Sequence, residues 1–369
     1  MSSLQSIQTA YCTDSAGMHP SHTLPIKLRA IAAAGFSSVE IAFPNLEAYA
    51  KQQHQEYQKI DNSGRGDVEV LCKVARKVRG MCEELGLEVL ALHPFSQFEG
   101  YEDVSKREEG FARAQTWFKV MNALNCQMLQ VGSSNDPSIS SDYEIIARDL
   151  RQLADEAAAQ EPPIRIAYEM WAWGVHVNTW EDTWDICQRV DRPNFGLCLD
   201  TFQICARAYA DPTSPSGLLT NPPASLRLTH SLTHLTSSLA PHKDKIFYLQ
   251  ISDATRSSPS HIASPHVAAS FGVEELKEEA KNGGRDVLYV WSDKWRPLPF
   301  MEEGYGGYLP VGDVVRAVLE TGWRGPWSYE VFYEKEMGKD DPSVPNRWTR
   351  AARKSHERLV EELGKKVLD

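Results

Sequence analysis

A chain of 369 residues that is 42% hydrophobic and 24% charged has the balance of a folded protein with a sizeable core. Its formal net charge of -11 argues against a non-specific nucleic-acid binder, which needs a basic face. No apolar stretch approaches the ~20 residues that span a bilayer, and the start Met1-Ser2-Ser3-Leu4 lacks the basic and apolar regions of a secretory signal, so neither a membrane nor an export route is expected. Seven cysteines, Cys12, Cys72, Cys82, Cys126, Cys187, Cys198 and Cys205, stand singly and read as reduced core residues of a cytoplasmic protein.

The chain then alternates. Residues 4–11 read as a first strand, and 24–34, closed by Gly35, as the helix after it. Residues 39–43 form a second strand broken by Pro44, and a polar segment rich in Gln and Lys follows. A long amphipathic helix over 68–85 leads to strand three at 87–93, whose loop Pro94-Phe95-Ser96-Gln97-Phe98-Glu99-Gly100 is aromatic and polar, as suits a substrate-facing mouth. Helices over 107–124 and 142–159 flank strand four at 126–132. Strand five begins at Ile164 and ends on Glu169, strand six covers 195–200 and ends on Asp200, and strand seven covers 245–253. Helices are expected over 180–190, 224–239, 311–319 and 346–363, with strand eight at 327–332. Eight strand-like runs alternating with helices predict a (β/α)₈ TIM barrel, one domain over 1–369 with 254–308 as an extended active-site loop region. No Gly-rich phosphate fingerprint follows strand one, which removes the main support for a dinucleotide-binding sheet.

Strands five to eight end in or near Glu169, Asp200, Gln250 and Glu330. Each is an oxygen donor directly after apolar residues, where burial without a partner is costly. A divalent cation resolves that cost for all four at once, and such hard ligands suit manganese or magnesium, with cobalt or zinc able to substitute. Taken singly, each acid could instead be salt-bridged to a lysine or arginine; four on successive strands favour the metal.

Other positions stay open at this level. Glu40 is either a buried acid paired with a cation or a substrate-facing carboxylate. His176, in the loop beyond Glu169, is structural or a substrate contact. Gln203 and Arg207 follow Asp200, and Arg207 either meets a substrate carboxylate or pairs with Asp211. His93 and Gln97 can reach the mouth from strand three. Trp171, Trp173, Trp291 and Trp295 are packing or substrate walls, and His230, His234, His261 and His266 lack ligand spacing and read mostly as solvent-facing.

Over nearly its whole length the chain resembles the fungal 3-dehydroshikimate dehydratases of quinate catabolism, within the barrel superfamily of sugar-phosphate isomerases, epimerases and family-two abasic-site endonucleases. The resemblance is carried by Pro94-Phe95 with Glu99-Gly100, Leu129-Gln130-Val131, Tyr168-Glu169 with Trp173-Gly174 and His176, and Asp191-Arg192-Pro193-Asn194-Phe195-Gly196 through Asp200-Thr201-Phe202. Tyr209-Ala210-Asp211-Pro212-Thr213, Gly306-Gly307-Tyr308-Leu309-Pro310 and Pro342-Ser343-Val344-Pro345 extend it. It implies that Glu169, Asp200, Gln250 and Glu330 hold a catalytic divalent metal, and that the substrate is an anionic cyclic keto acid, 3-dehydroshikimate, dehydrated to protocatechuate. It leaves His176, Glu40 and His93 as acid, base or contact residues, and Gln203, Arg207, Lys294 and Arg296 as substrate partners. Glutamine at the third ligand looks more like the dehydratases than the keto-sugar epimerases, which usually place histidine there.

The departures fall on the substrate side. Gln203 stands where bacterial relatives tend to have histidine, His93 where relatives have glutamine, and Ser96 where some have arginine. Trp291-Ser292-Asp293-Lys294 replaces a Trp-Ser-Arg-Asn pattern, so one expected carboxylate-binding arginine is missing, and Lys294 or Arg296 could replace it. A sugar or cyclitol isomerase or epimerase on the same metal, and a barrel that binds without turnover, remain the competing readings. The sequence is compatible with a homo-oligomer.

Overall fold

Short β-branched and aromatic runs that are buried on both faces pair best in parallel, with helices covering the outside. The computed structural model describes residues 2–257 and 271–365 and realises that arrangement. Eight parallel strands close into a barrel in sequence order: β1 Thr9–Cys12, β2 Ser38–Ala42, β3 Glu88–Phe95, β4 Met128–Gly132, β5 Arg165–Glu169, β6 Phe195–Asp200, β7 Ile246–Ile251 and β8 Trp327–Tyr329. Ala10, Ala91, Met128, Ala167, Cys198 and Tyr248 fill the interior below the mouth, while the larger apolar cluster lies between the strands and the helices. All seven cysteines are buried free thiols, and among the described residues no helix is long and apolar enough to cross a membrane.

The observed elements differ from the expected ones in informative places. The first strand is shorter than residues 4–11, because only Thr9–Cys12 finds partners on β2 and β8, and a one-turn helix Ser2–Gln5 precedes it. Pro44 opens a helix, Phe43–Gln53, rather than a polar loop, since its fixed φ and missing N–H fit a first helical turn. A second unforeseen helix, Thr201–Ala208, starts directly at the end of β6. The apolar run after Asp286 is also helical, Val287–Lys294.

The eighth strand stops at Tyr329 instead of continuing to Phe332. Phe332 pairs its backbone with Arg296, each amide donating to the other's carbonyl at 2.8 Å, in an antiparallel bridge. That bridge fixes where the segment after β7 crosses the mouth. His261 and His266 lie outside the described residues; His230 and His234 are exposed.

Candidate active site

Side chains on a strand alternate between faces, so the residues two apart on β5 to β8 share the barrel interior. The register sets Glu169 beside Cys198, Asp200 beside Gln250, and Gln250 beside Ser328, with Glu330 one step past β8. One oxygen each of Glu169, Asp200 and Glu330 lies within 4.8 Å of the others, and all three residues are buried.

Among the described residues, the permanent cation paired with these acids is Arg296. Its guanidinium donates to Asp200 Oδ2, stands 2.8 Å from Glu330 Oε2, and donates from Nε to the Ser252 hydroxyl at 2.6 Å. One such charge does not compensate three acids. Burial, followed by repulsion from Glu330 and Asp200, pushes the Glu169 carboxyl well above the usual carboxylate range. Burial also raises Asp200 against the pull of Arg296, and raises Glu330 to about 8.

Several buried polar atoms here lack a partner among the described residues: Glu169 Oε1, Gln130 Oε1, His93 Nε2 and Ser328 Oγ. Unsatisfied groups are rare in folded interiors and ask for an explanation. Converging hard oxygen donors, an excess of buried negative charge and an orphaned Glu169 oxygen together fit a divalent cation. The other Glu169 oxygen, Oε2, accepts from Gln130 Nε2 and from Trp171 Nε1 at 3.1 Å, which orients the carboxylate.

His93, near the end of β3, sets Nδ1 3.7 Å from Glu330 Oε1. Burial disfavours its imidazolium, but the charges of Asp14, Glu40 and Glu330 outweigh burial and hold the ring above its ordinary value. The Trp171 ring packs against β4, where a Cβ on Gly132 would come within 2.2 Å of it. Trp173 is 5.3 Å from Trp171 and packs edge-on to Tyr289, also at 5.3 Å.

The xylose isomerase-like TIM barrel family matches residues 28–361 of this chain. A 3-dehydroshikimate dehydratase of Neurospora crassa is 35% identical over 346 residues, 93% of this chain and 90% of that protein. The chain belongs to the 3-dehydroshikimate dehydratases within this barrel family. A 3-dehydroshikimate dehydratase of Pseudomonas aeruginosa is 33% identical over 85% of this chain, which spans only 36% of that longer protein. Among solved structures, a xylose isomerase-like TIM barrel/4-hydroxyphenylpyruvate dioxygenase fusion protein aligns with a TM-score of 0.66 at 27% identity, covering 97% of this chain and 43% of its own.

In this dehydratase-family chain the structure gathers Glu169, Asp200, Glu330, Gln250, His93, Glu40 and Arg296 at or just below the mouth. It does not gather the rest. The ammonium of Lys294 is taken up by Glu279 and by Glu334 at 2.8 Å. Arg207 is exposed and lines a separate cavity of about 240 Å³ with Met170, Arg227 and His230. Gln203 is buried and accepts from the Ala172 amide at 2.9 Å, holding the loop after β5 against the helix after β6. His176 is half-buried in that loop, and its carbonyl accepts from the Tyr143 hydroxyl at 3.0 Å. Gln97 is exposed and donates to Asn135 at 3.3 Å.

Gln130, Tyr248 and Cys12 belong to the site's surroundings without having been singled out as site residues. Their signal is the period of two: each is a polar or soft side chain on the inward step of a buried strand.

Proposed function

We propose that this barrel mouth removes water from 3-dehydroshikimate to give protocatechuate. The observation that carries the proposal is the buried triad Glu169, Asp200 and Glu330 with one guanidinium against it, in a chain that aligns over 93% of its length with a curated dehydratase. Glu169, Asp200, Glu330 and Gln250 would hold a divalent cation, manganese or magnesium by the hardness of the donors, with cobalt or zinc as substitutes. When bound, such a cation supplies Lewis acidity to the substrate ketone, which acidifies the neighbouring C–H.

The chain's own residues must then move one proton and release one hydroxide. His93 is suited to both because its Nε2 is buried without a partner at the mouth. It would take the proton from the carbon beside the ketone and return it to the departing hydroxyl, so that one C–H and one C–O bond break and one water leaves; the dienone that results becomes protocatechuate when a ring-methylene proton shifts to the ketone oxygen. His176 is proposed as a substrate contact, and Trp171 and Trp173 as the wall against the ring. Of the proposed carboxylate partners, Arg296 has the best position, being wholly buried at the mouth, whereas Lys294 is paired with Glu279 and Glu334, Arg207 lines a separate cavity and Gln203 holds the loop after β5. The segment 254–308, which delivers Arg296, is proposed as the active-site loop region of a single-domain barrel.

The test is to add 3-dehydroshikimate and manganese to the purified protein and follow protocatechuate by its absorbance. Product that depends on metal supports the proposal, and the absence of product above a metal-free control removes it. Keto sugars and cyclitols assayed in parallel separate the isomerase and epimerase readings.

A further inference from the structure

The floor beneath the triad holds a carboxylate that the proposed chemistry does not need. Glu40, on β2, is wholly buried, and both its oxygens are met by neutral donors. The Cys12 thiol donates to Oε1 at 3.0 Å and the Tyr248 hydroxyl to Oε2 at 2.9 Å, while Gln250 Nε2 lies 3.3 Å and 3.2 Å from the two oxygens. The other end of that carboxamide, Gln250 Oε1, accepts among the described residues only the weak thiol of Cys198 on β6, at 3.4 Å. On β6 the register partner of Gln250 is Asp200.

A carboxamide is an asymmetric ligand. Its oxygen binds a hard cation and its nitrogen, with two N–H groups, is repelled by one. Turned by half a rotation, the same side chain changes from ligand to obstacle. Glu40, accepting at both oxygens, selects the orientation in which nitrogen faces the floor and oxygen faces β6.

We infer that Glu40 is a positioning residue that locks the Gln250 carboxamide with its oxygen toward the cation site. The inference rests on the metal reading given above. It also accounts for a glutamine rather than a glutamate at 250, because a carboxylate there would stand against Glu40 with no proton between them.

Calorimetric titration of substrate-free protein with manganese tests this, using the wild type, Glu40→Gln, Gln250→Glu and the double variant, each checked for folding by circular dichroism and thermal melting. Glu40→Gln is expected to weaken manganese binding by about tenfold or more, since an amide at position 40 accepts either orientation of Gln250. The double variant is expected to return most of that loss, because a carboxylate at 250 presents an oxygen whichever way it turns and the amide at 40 can donate to it. Wild-type affinity in Glu40→Gln overturns the inference. So does a double variant no tighter than Glu40→Gln, a comparison that decides even where Gln250→Glu alone fails to fold. A wild type that binds no divalent cation overturns the metal reading itself.

Discussion

Asp149 and Glu169 are both carboxylates sealed inside one protein, and their surroundings treat them in opposite ways. Asp149, on the helix Tyr143–Ala158, is wholly buried, yet Arg107 stands 2.7 Å away, Arg148 2.9 Å away, and the Gly100 amide donates to it at 3.0 Å. Its charge is matched and its lone pairs are used. At the mouth, three carboxylates converge and the Arg296 guanidinium pairs with two of them, Asp200 and Glu330, while Glu169 Oε1 has no partner among the described residues. The fold thus neutralises a buried acid where the acid holds structure together. Where it gathers three buried acids against one guanidinium, their oxygens are the complement of a divalent cation.

Removing an acid at either place should separate the two. Glu330→Gln is expected to lower turnover by on the order of 10³-fold with little change in the far-ultraviolet spectrum, measured by steady-state kinetics at saturating manganese. Asp149→Ala should do the reverse, costing about 3 kcal/mol in denaturant unfolding by stranding its arginines, with kcat kept within about twofold. Glu169→Gln, unfolded in the presence of a chelator, is expected to gain about 1 kcal/mol over the wild type, because it relieves repulsion among the acids; a loss of stability would mean that the triad is already compensated. Gly132→Ala drives a Cβ into the Trp171 ring that orients Glu169, and should cost about 1 kcal/mol and raise KM.

His356 supplies the smallest effect and an opposite kind of burial. It lies on the buried face of the helix Val344–Lys365 with Nδ1 3.0 Å from the Tyr329 hydroxyl, and burial pushes its imidazole down to about 4. Between pH 6.5 and 4 the unfolded chain takes up a proton that the folded one refuses, so this group's contribution to stability is complete above 6.5 and declines as pH falls toward 4. The slope of melting temperature against pH over that window should be shallower in His356→Phe than in the wild type.

What the chain reveals about itself follows the same division. The donors were legible because an apolar run ending on a side-chain oxygen is a local pattern, and four of them, three carboxylates and the Gln250 carboxamide, recur on successive strands. The helix Trp180–Val190 was legible for a similar reason: Thr179 and Asp182 form a capping box at its start. Phe43–Gln53 was hidden by a proline that reads as a breaker, and Thr201–Ala208 by the lack of any loop before it. The cations were the least legible. Lys294, Arg207 and Arg296 carry the same charge in one dimension, yet one pairs with two helix acids, one lines an outer cavity, and one joins Asp200 and Glu330. The helix after β6 carries Arg207 outward, and the segment after β7, pinned by Phe332, separates Arg296 from Lys294.

Asp200 ends β6 and begins the next helix, its Oδ1 accepting from the Gln203 amide at 2.9 Å. The position therefore answers to two requirements during divergence. Asparagine would start the helix but lose the charge, and glutamate would keep the charge but start the helix poorly. A lineage of such barrels that drifts toward a new substrate has little freedom here. Its variation is channelled to positions that carry only one of those requirements, such as the exposed Arg207 two turns onward, where a change leaves intact how the barrel wall turns into its helix.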